Sequence, residues 1–311
     1  MPSSKSVNQT SKANKMGLLD GFEALRVKTS GAEIAVRTGG DGPPLLLVHG
    51  YPQTKTIWHK VAPALAKHFT LIMPDLRGYG ESSKPATADD CSTYSKREMA
   101  HDLVEVMANL GHDRFQVAGH DRGGRVAHRM AADWPQQVER LCVLDIAPTR
   151  EMYARTDMAF ARAYWHWFFL IQPAPLPEKM ILANPEAYFL RSMSIGGKTP
   201  LRSYDHFHED AQREYLRCLS DPDTVHAMCN DYRAAASIDL IHDDADGDKK
   251  LSCPMHVIWG KRGVIERCFD APTLWKLRAH HVTGERFDCG HYIPEERPEE
   301  TIQSFLGFFE H

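Results

Sequence analysis

The sequence predicts an α/β fold: a mostly parallel sheet flanked by helices and interrupted by an inserted helical cap, or lid. Three observations point there. Apolar runs alternate with helical stretches from Leu45 onward, the alternation stops near Pro148, and it resumes near Met255. Between those points lie helical and loop signals rich in aromatics and prolines, with no convincing buried strand. The expected division is a disordered tail over 1–17, a first core part over 18–147, the cap over 148–240 and a second core part over 241–311.

The elements follow in order. Glu23 to Arg37 alternate apolar and polar residues around Ser30-Gly31, which reads as a hairpin, and "GGDGPP" marks a turn. "LLLVHG" (45–50) and "FTLIMPD" (69–75) flank a predicted helix over 57–66, a β-α-β pattern that implies parallel pairing. Ser95 and Glu98 form a capping box ahead of a helix whose apolar face is Met99, Leu103, Val106 and Leu110, closed by Gly111. Strand "FQVAG" (115–119), a helix over 123–134 and strand "RLCVLDI" (140–146) complete the first part. After the cap, "MHVIWG" (255–260), a helix over 271–279, a strand over 281–287 and a last helix from Pro298 restore the pattern.

Composition narrows the class. Of 311 residues, 42% are hydrophobic and 25% charged, and no run reaches the roughly 18 apolar residues a membrane span needs. A soluble protein with no membrane partner is expected. The opening "MPSSKSVNQTSKANK" lacks the apolar stretch of a secretory signal. A net charge of −4 without a basic run argues against nucleic acid. Seven cysteines, odd in number and without a C-x-x-C pair, argue against disulfides or zinc and favour the cytoplasm. The acidic run "DDADGD" (243–248) misses the Gly and Glu of a calcium loop and reads as a solvated loop.

The chemistry centres on "VAGHDRGGR" (117–125). G-x-D-x-G alone also suits an Asp capping a helix. At a strand-to-helix turn, however, small residues two before and two after a nucleophile let the backbone bend sharply, and Gly119 and Gly123 supply them around Asp121. With a reference pKa of about 3.9 and two guanidiniums nearby, Asp121 is expected to be ionised and able to attack an sp³ carbon directly. The resulting aspartyl ester must be hydrolysed by water activated by a base. His291 in "CGHYIPEERPEE", between the last strand and last helix, is the expected base, with Asp145 at the end of "CVLDI" as its orienting acid. Glu266 is the weaker competitor for that acid, and His280 and His281 read as strand-edge residues. "HGYP" (49–52) offers the Tyr51 backbone N–H, with that of Arg122, as an oxyanion hole.

Over about Phe22 to Phe309 these motifs resemble the α/β-hydrolase superfamily and, within it, the fluoroacetate (haloacetate) dehalogenases. Haloalkane dehalogenases and epoxide hydrolases are similar in the core but usually carry Trp directly after the nucleophilic Asp, where this chain has Arg122. Arg122 and Arg125 share one face at a helix start, where positive charge opposes the macrodipole, so an anion is expected beside them. They either pair with carboxylates of the protein or grip a substrate carboxylate, the role the resemblance implies. "YWHWFFLIQPAPLPE" (164–178) and "CNDYRAA" (229–235) look like the family's leaving-group segments and nominate His166, Trp167 and Tyr232 as halide donors. By spacing alone those aromatics also read as cap core. Where family members carry Trp in the lid, this chain has Met193 in "RSMSIGG", whose flexible thioether is expected to loosen the pocket toward larger 2-haloacids.

The resemblance implies cofactor-independent and metal-independent hydrolysis of a short 2-haloacid, such as fluoroacetate to glycolate and fluoride, by a cytoplasmic homodimer. Two rivals stand beside it. An epoxide hydrolase shares the Asp ester but needs lid donors, commonly tyrosines, for the ring oxygen; a non-catalytic receptor on the same fold keeps the anion pocket without turnover.

Overall fold

The computed structural model describes residues 17–193 and 206–310. The predicted tail, apart from Gly17, lies outside the described residues.

Eight strands form one sheet: β1 (Glu23–Lys28), β2 (Glu33–Gly39), β3 (Pro44–Val48), β4 (Thr70–Pro74), β5 (Phe115–His120), β6 (Val138–Leu144), β7 (Met255–Gly260) and β8 (Val282–Phe287). Their spatial order is β1-β2-β4-β3-β5-β6-β7-β8. The pairs β1·β2 and β2·β4 are antiparallel and every other pair is parallel. The inner parallel strands β3, β4 and β5 are buried along nearly their whole length, which is why they read as continuous apolar runs, whereas the edge strand β8 is mostly exposed and polar. Along β3, Leu46 and Val48 face one core with Val117 and Val143. Leu45 and Leu47 face the other with Trp58, Phe305 and Phe309.

Helix Lys96–Asn109 buries Met99, Leu103 and Val106 beside the sheet, and the Ser95 hydroxyl accepts from the Glu98 N–H at its start. The predicted helix over 57–66 is instead a 3-10 turn, Lys55–Lys60, followed by a short helix, Ala62–Leu65. Pro63 explains the break: it has no N–H to continue the first turn, but fits the start of a second helix.

Between β6 and β7 the described residues are helical, with no strand. Helix Pro222–Ala235 is the hub of this insertion. It packs on helices Leu176–Ala183 and Trp165–Leu170, and also on Lys96–Asn109 of the sheet layer. Asp221 caps its first turn, accepting from the Thr224 N–H at 2.7 Å. The last helix of the insertion, Ile238–Asp246, runs past residue 240. It absorbs most of the acidic run expected to be a solvated loop, because buried Arg129 pairs with Asp243 and Asp246 at 2.7 Å each. All seven cysteines are unpaired.

Candidate active site

Four loops leave the C-terminal ends of parallel strands side by side, the place where sheets of this kind build sites. Tyr51 follows β3, Asp121 follows β5, Asp145 follows β6 and His291 follows β8. Asp121 sits at the turn into helix Arg122–Asp133 with φ +49° and ψ −115°, a conformation that costs a non-glycine residue about 1–3 kcal/mol. The flanking glycines are needed sterically. A Cβ on Gly119 would stand 2.4 Å from the Gly123 carbonyl oxygen, and one on Gly123 would stand 2.3 Å from the carbonyls of Val48 and His49. The turn therefore presents Asp121 where a side chain in an ordinary strand could not stand.

His291 Nδ1 lies 2.6 Å from Asp145 Oδ2, and the Gly260 N–H donates to Asp145 Oδ1 at 3.0 Å. His291 Nε2 faces Asp121 Oδ2 at 3.7 Å. All three side chains are buried. Burial penalises the His291 cation, but the Asp145 hydrogen bond and the charges of Asp145 and Asp121 outweigh it and raise its pKa. Burial raises the Asp145 carboxyl against the pull of His291. Burial also works against the Asp121 carboxylate, yet His291, His120, Arg125 and Arg122 together hold its pKa below the usual value. Asp121 is thus an anion at neutral pH. Glu266, the competing acid, is occupied elsewhere, accepting from Trp259 Nε1 at 2.5 Å and Arg286 at 2.7 Å.

The Tyr51 N–H donates to Asp121 Oδ1 at 3.0 Å. The Arg122 N–H makes no bond to that carboxylate among the described residues, so of the two expected donors only that of Tyr51 touches Asp121. A cavity of only about 10 Å³, close to the room of one water, lies between Asp121, His291, Tyr51, Tyr164, His166 and Ser192. Entry of even a two-carbon acid requires these side chains to move apart. His166 borders the cavity and is kept neutral, its pKa lowered to about 3 mainly by burial.

Trp167, Tyr232, Arg122 and Arg125 stand one layer back from that cavity. The Arg122 guanidinium lies 4.1 Å from the centre of the Tyr232 ring, and that of Arg125 lies 4.7 Å from a Trp167 ring centre. Tyr232 in turn packs edge-on against Tyr51 and His166. Each of the four residues carries one buried polar atom with no hydrogen-bond partner among the described residues: Arg122 Nη1, Arg125 Nε, Trp167 Nε1 and the Tyr232 hydroxyl. Four unanswered donors within one cluster are unusual, because buried donors are normally paired.

Several residues here escaped the sequence reading. Asp231, beside the nominated Tyr232, accepts from both Nε and Nη2 of Arg122, from Lys96 and from the Tyr79 hydroxyl. Arg122 therefore already has a carboxylate partner, one buried in the protein. His120 Nε2 lies 2.8 Å from the His291 carbonyl oxygen and steadies the loop that carries the base. The Tyr164 hydroxyl stands 3.5 Å from His291 Nδ1. Met193 does not border the cavity; its sulfur accepts from the Tyr292 hydroxyl at 3.2 Å, while its neighbour Ser192 lines the wall.

Comparison with known proteins agrees with this architecture. A family model of the alpha/beta hydrolase fold matches residues 43–189. A fluoroacetate dehalogenase of Burkholderia sp. is 42% identical over 94% of this chain and 95% of its own length. A soluble epoxide hydrolase of Corynebacterium sp. is 35% identical over 88% and 92% respectively. Among solved structures, a Nostoc sp. PCC 7120 protein described as an alpha/beta hydrolase superposes with a TM-score of 0.91 at 52% identity, covering 94% of this chain and 99% of that one.

Proposed function

The chain belongs to the fluoroacetate dehalogenase family of the α/β-hydrolase superfamily, and from that premise we propose that it hydrolyses the carbon–halogen bond of a short 2-haloacid, fluoroacetate foremost. The observation that carries this reading is the cluster of four unanswered buried donors on Arg122, Arg125, Trp167 and Tyr232 next to an ionised, strained Asp121. A 2-haloacid brings two groups such donors match, a carboxylate and a departing halide. A neutral epoxide brings neither.

Two carboxylate oxygens of Asp121 suit two different tasks. Oδ1 is held by the Tyr51 N–H, so Oδ2 attacks the carbon bearing the halogen; the new C–O bond forms as the carbon–halogen bond breaks and the halide leaves with the electron pair. Trp167, Tyr232 and neutral His166 receive the charge that develops on the halide, and they stabilise it more than they stabilise bound substrate. His291 Nε2 then takes a proton from water whose oxygen attacks the Asp121 carboxyl carbon. The Tyr51 N–H stabilises the oxyanion on Oδ1; as it collapses, the His291 imidazolium gives its proton to the departing oxygen, the 2-hydroxy acid leaves, and the Asp121 carboxyl loses its proton to restore the carboxylate. Asp145 holds the imidazole with Nε2 free and stabilises the imidazolium. Written this way, the reaction uses neither metal nor cofactor.

The test is fluoride release from fluoroacetate, followed with a fluoride electrode, with Asp121→Ala as the blank and chloroacetate and styrene oxide in parallel. Release by the parent alone is expected. Turnover of styrene oxide without halide release would overturn the reading in favour of an epoxide hydrolase, which would use the open Tyr232 hydroxyl on the ring oxygen. If substrate never appears on the Asp121 peptide by mass spectrometry, even with His291→Asn, the protein is a receptor.

A further inference from the structure

The two arginines after the nucleophile are unequal in their partners. Arg122 is fully buried and gripped by Asp231 through Nε at 3.1 Å to both carboxylate oxygens and through Nη2 at 2.5 Å to Oδ1 and 2.9 Å to the backbone carbonyl. Lys96 also pairs with Asp231, and reaches Asp239 at 3.3 Å. Two cations face two carboxylates, so this cluster is neutral without any ligand. Arg125 has no carboxylate within salt-bridge distance among the described residues. Its Nη1 donates to the Ala147 carbonyl and the Thr149 hydroxyl at 3.0 Å each, and its Nη2 meets the Met152 sulfur at 3.3 Å. Among the charges that act most strongly on it, Asp121 is the one carboxylate.

Charge counting then separates their roles. Before attack, the site must hold the substrate carboxylate and the Asp121 carboxylate together. After attack, Asp121 is a neutral ester and the substrate carboxylate remains. Through both stages Arg125 is the cation with charge to spare, while the charge of Arg122 is already answered and only its Nη1 donor is open.

Resting on the reading of the site as a 2-haloacid hydrolase, we propose that Asp231 is a positioning residue that splits the arginine pair: Arg125 supplies the net charge that selects a carboxylate, and Arg122, neutralised and held by Asp231, supplies one fixed donor that aligns it. The arrangement has a physical reason. Two unpaired guanidiniums beside Asp121 would stabilise its carboxylate further and blunt it as a nucleophile. One compensated guanidinium orients without that penalty.

The experiment measures kcat and KM for chloroacetate and the inhibition constant of acetate, an unreactive carboxylate, in Asp231→Asn, Arg122→Met, Arg125→Met and the double variant Arg122→Met/Asp231→Asn. Asp231→Asn frees the charge of Arg122 but loosens its fork, so acetate is expected to bind as tightly as in the parent or tighter while kcat falls at least about tenfold. Arg125→Met is expected to weaken acetate about tenfold more than Arg122→Met does, a difference of about 1.4 kcal/mol. In the double variant kcat should match that of Arg122→Met alone, because Asp231 acts only through Arg122.

The double variant removes both partners of the buried pair and keeps the test open if Asp231→Asn does not fold. Equal weakening of acetate by the two arginine variants, or a further loss of kcat in the double variant, would overturn the proposal while leaving the hydrolase reading intact. A parent that neither binds acetate nor turns over chloroacetate would overturn both.

Discussion

The Asp121, Asp145 and His291 side chains at the strand ends and the nominated donors of the insertion, Trp167 and Tyr232, treat their polar atoms differently. At the strand ends, His291 has Asp145 on one nitrogen and Asp121 facing the other, Asp145 has the Gly260 N–H, and Asp121 Oδ1 has the Tyr51 N–H. That machinery is preorganised by the backbone of the sheet. In the insertion, Trp167 Nε1 and the Tyr232 hydroxyl have no hydrogen-bond partner among the described residues, a property that Arg122 Nη1 and Arg125 Nε on the helix after β5 share with them. One region can be shared by dehalogenases and epoxide hydrolases alike, since both need an aspartyl ester made and hydrolysed. On the proposed reading, the other decides which bond is broken.

That contrast is broken most strongly at the base. His291→Asn should leave the attack by Asp121 intact while ester hydrolysis falls by about 10³-fold or more, within the range of general base catalysis. Mass spectrometry of the Asp121 peptide after exposure to fluoroacetate should find the substrate-derived ester at near-stoichiometric level. A variant that turns over normally would remove His291 from the mechanism. Tyr232→Phe probes the other side. Losing one preorganised donor should slow fluoride release by about 10²-fold, with a smaller loss for chloride, which is larger and needs less hydrogen bonding to depart. Unchanged release of both halides would take Tyr232 out of the halide site.

The pH profile sharpens the same division in the unmodified protein. The Asp121 carboxyl is held below its ordinary value, so attack should be insensitive to pH across the neutral range. His291 is raised above 6.5, and its protonated form cannot accept the proton of water, so ester hydrolysis should fall on the acid side by about tenfold per pH unit. Part of that elevation comes from the Asp121 charge, which disappears in the ester. The inflection for ester hydrolysis should therefore lie below that of free His291. Quenched samples taken at pH 5 should carry more ester on Asp121 than samples taken at pH 8; equal amounts would mean that another step limits turnover.

How far the site could be read in the sequence follows the same boundary. Asp121 and Asp145 directly follow buried apolar strands and His291 lies in the loop after the last strand, and a parallel sheet brings the ends of its strands together, so order along the chain brought the three to one edge. Pro63 marked the broken helix, but the apolar spacing around it looked continuous. Asp231 was not legible. It lies on a helix of the insertion, 109 residues from Arg122, and no periodicity says that helix Pro222–Ala235 descends onto the first turn of Lys96–Asn109. The arginine pair was expected to face an anion; Arg122 meets the protein's own Asp231, while Arg125 has no carboxylate within salt-bridge distance among the described residues, a division that the sequence could not show. Arg129 illustrates the same limit, since besides its helix neighbour Asp133 it pairs with Asp243 and Asp246, which lie across the whole insertion.

Met193 offers the smallest effect and a direct check on that limit. As a flexible side chain in the family's aromatic position, it was expected to open the pocket. In the structure its sulfur instead accepts from Tyr292, the residue after the base, and Ser192 occupies the wall. Met193→Leu conserves volume, so stability should change by less than about 1.5 kcal/mol. It removes the sulfur acceptor while leaving the cavity wall unaltered, so the ratio of 2-chloropropionate to chloroacetate turnover should stay within about threefold of the parent, because that acceptor lies outside the path of the reacting atoms. A larger shift in that ratio would mean that the contact with Tyr292 sets the distance between insertion and base, and that pocket size is controlled from behind the wall rather than at it.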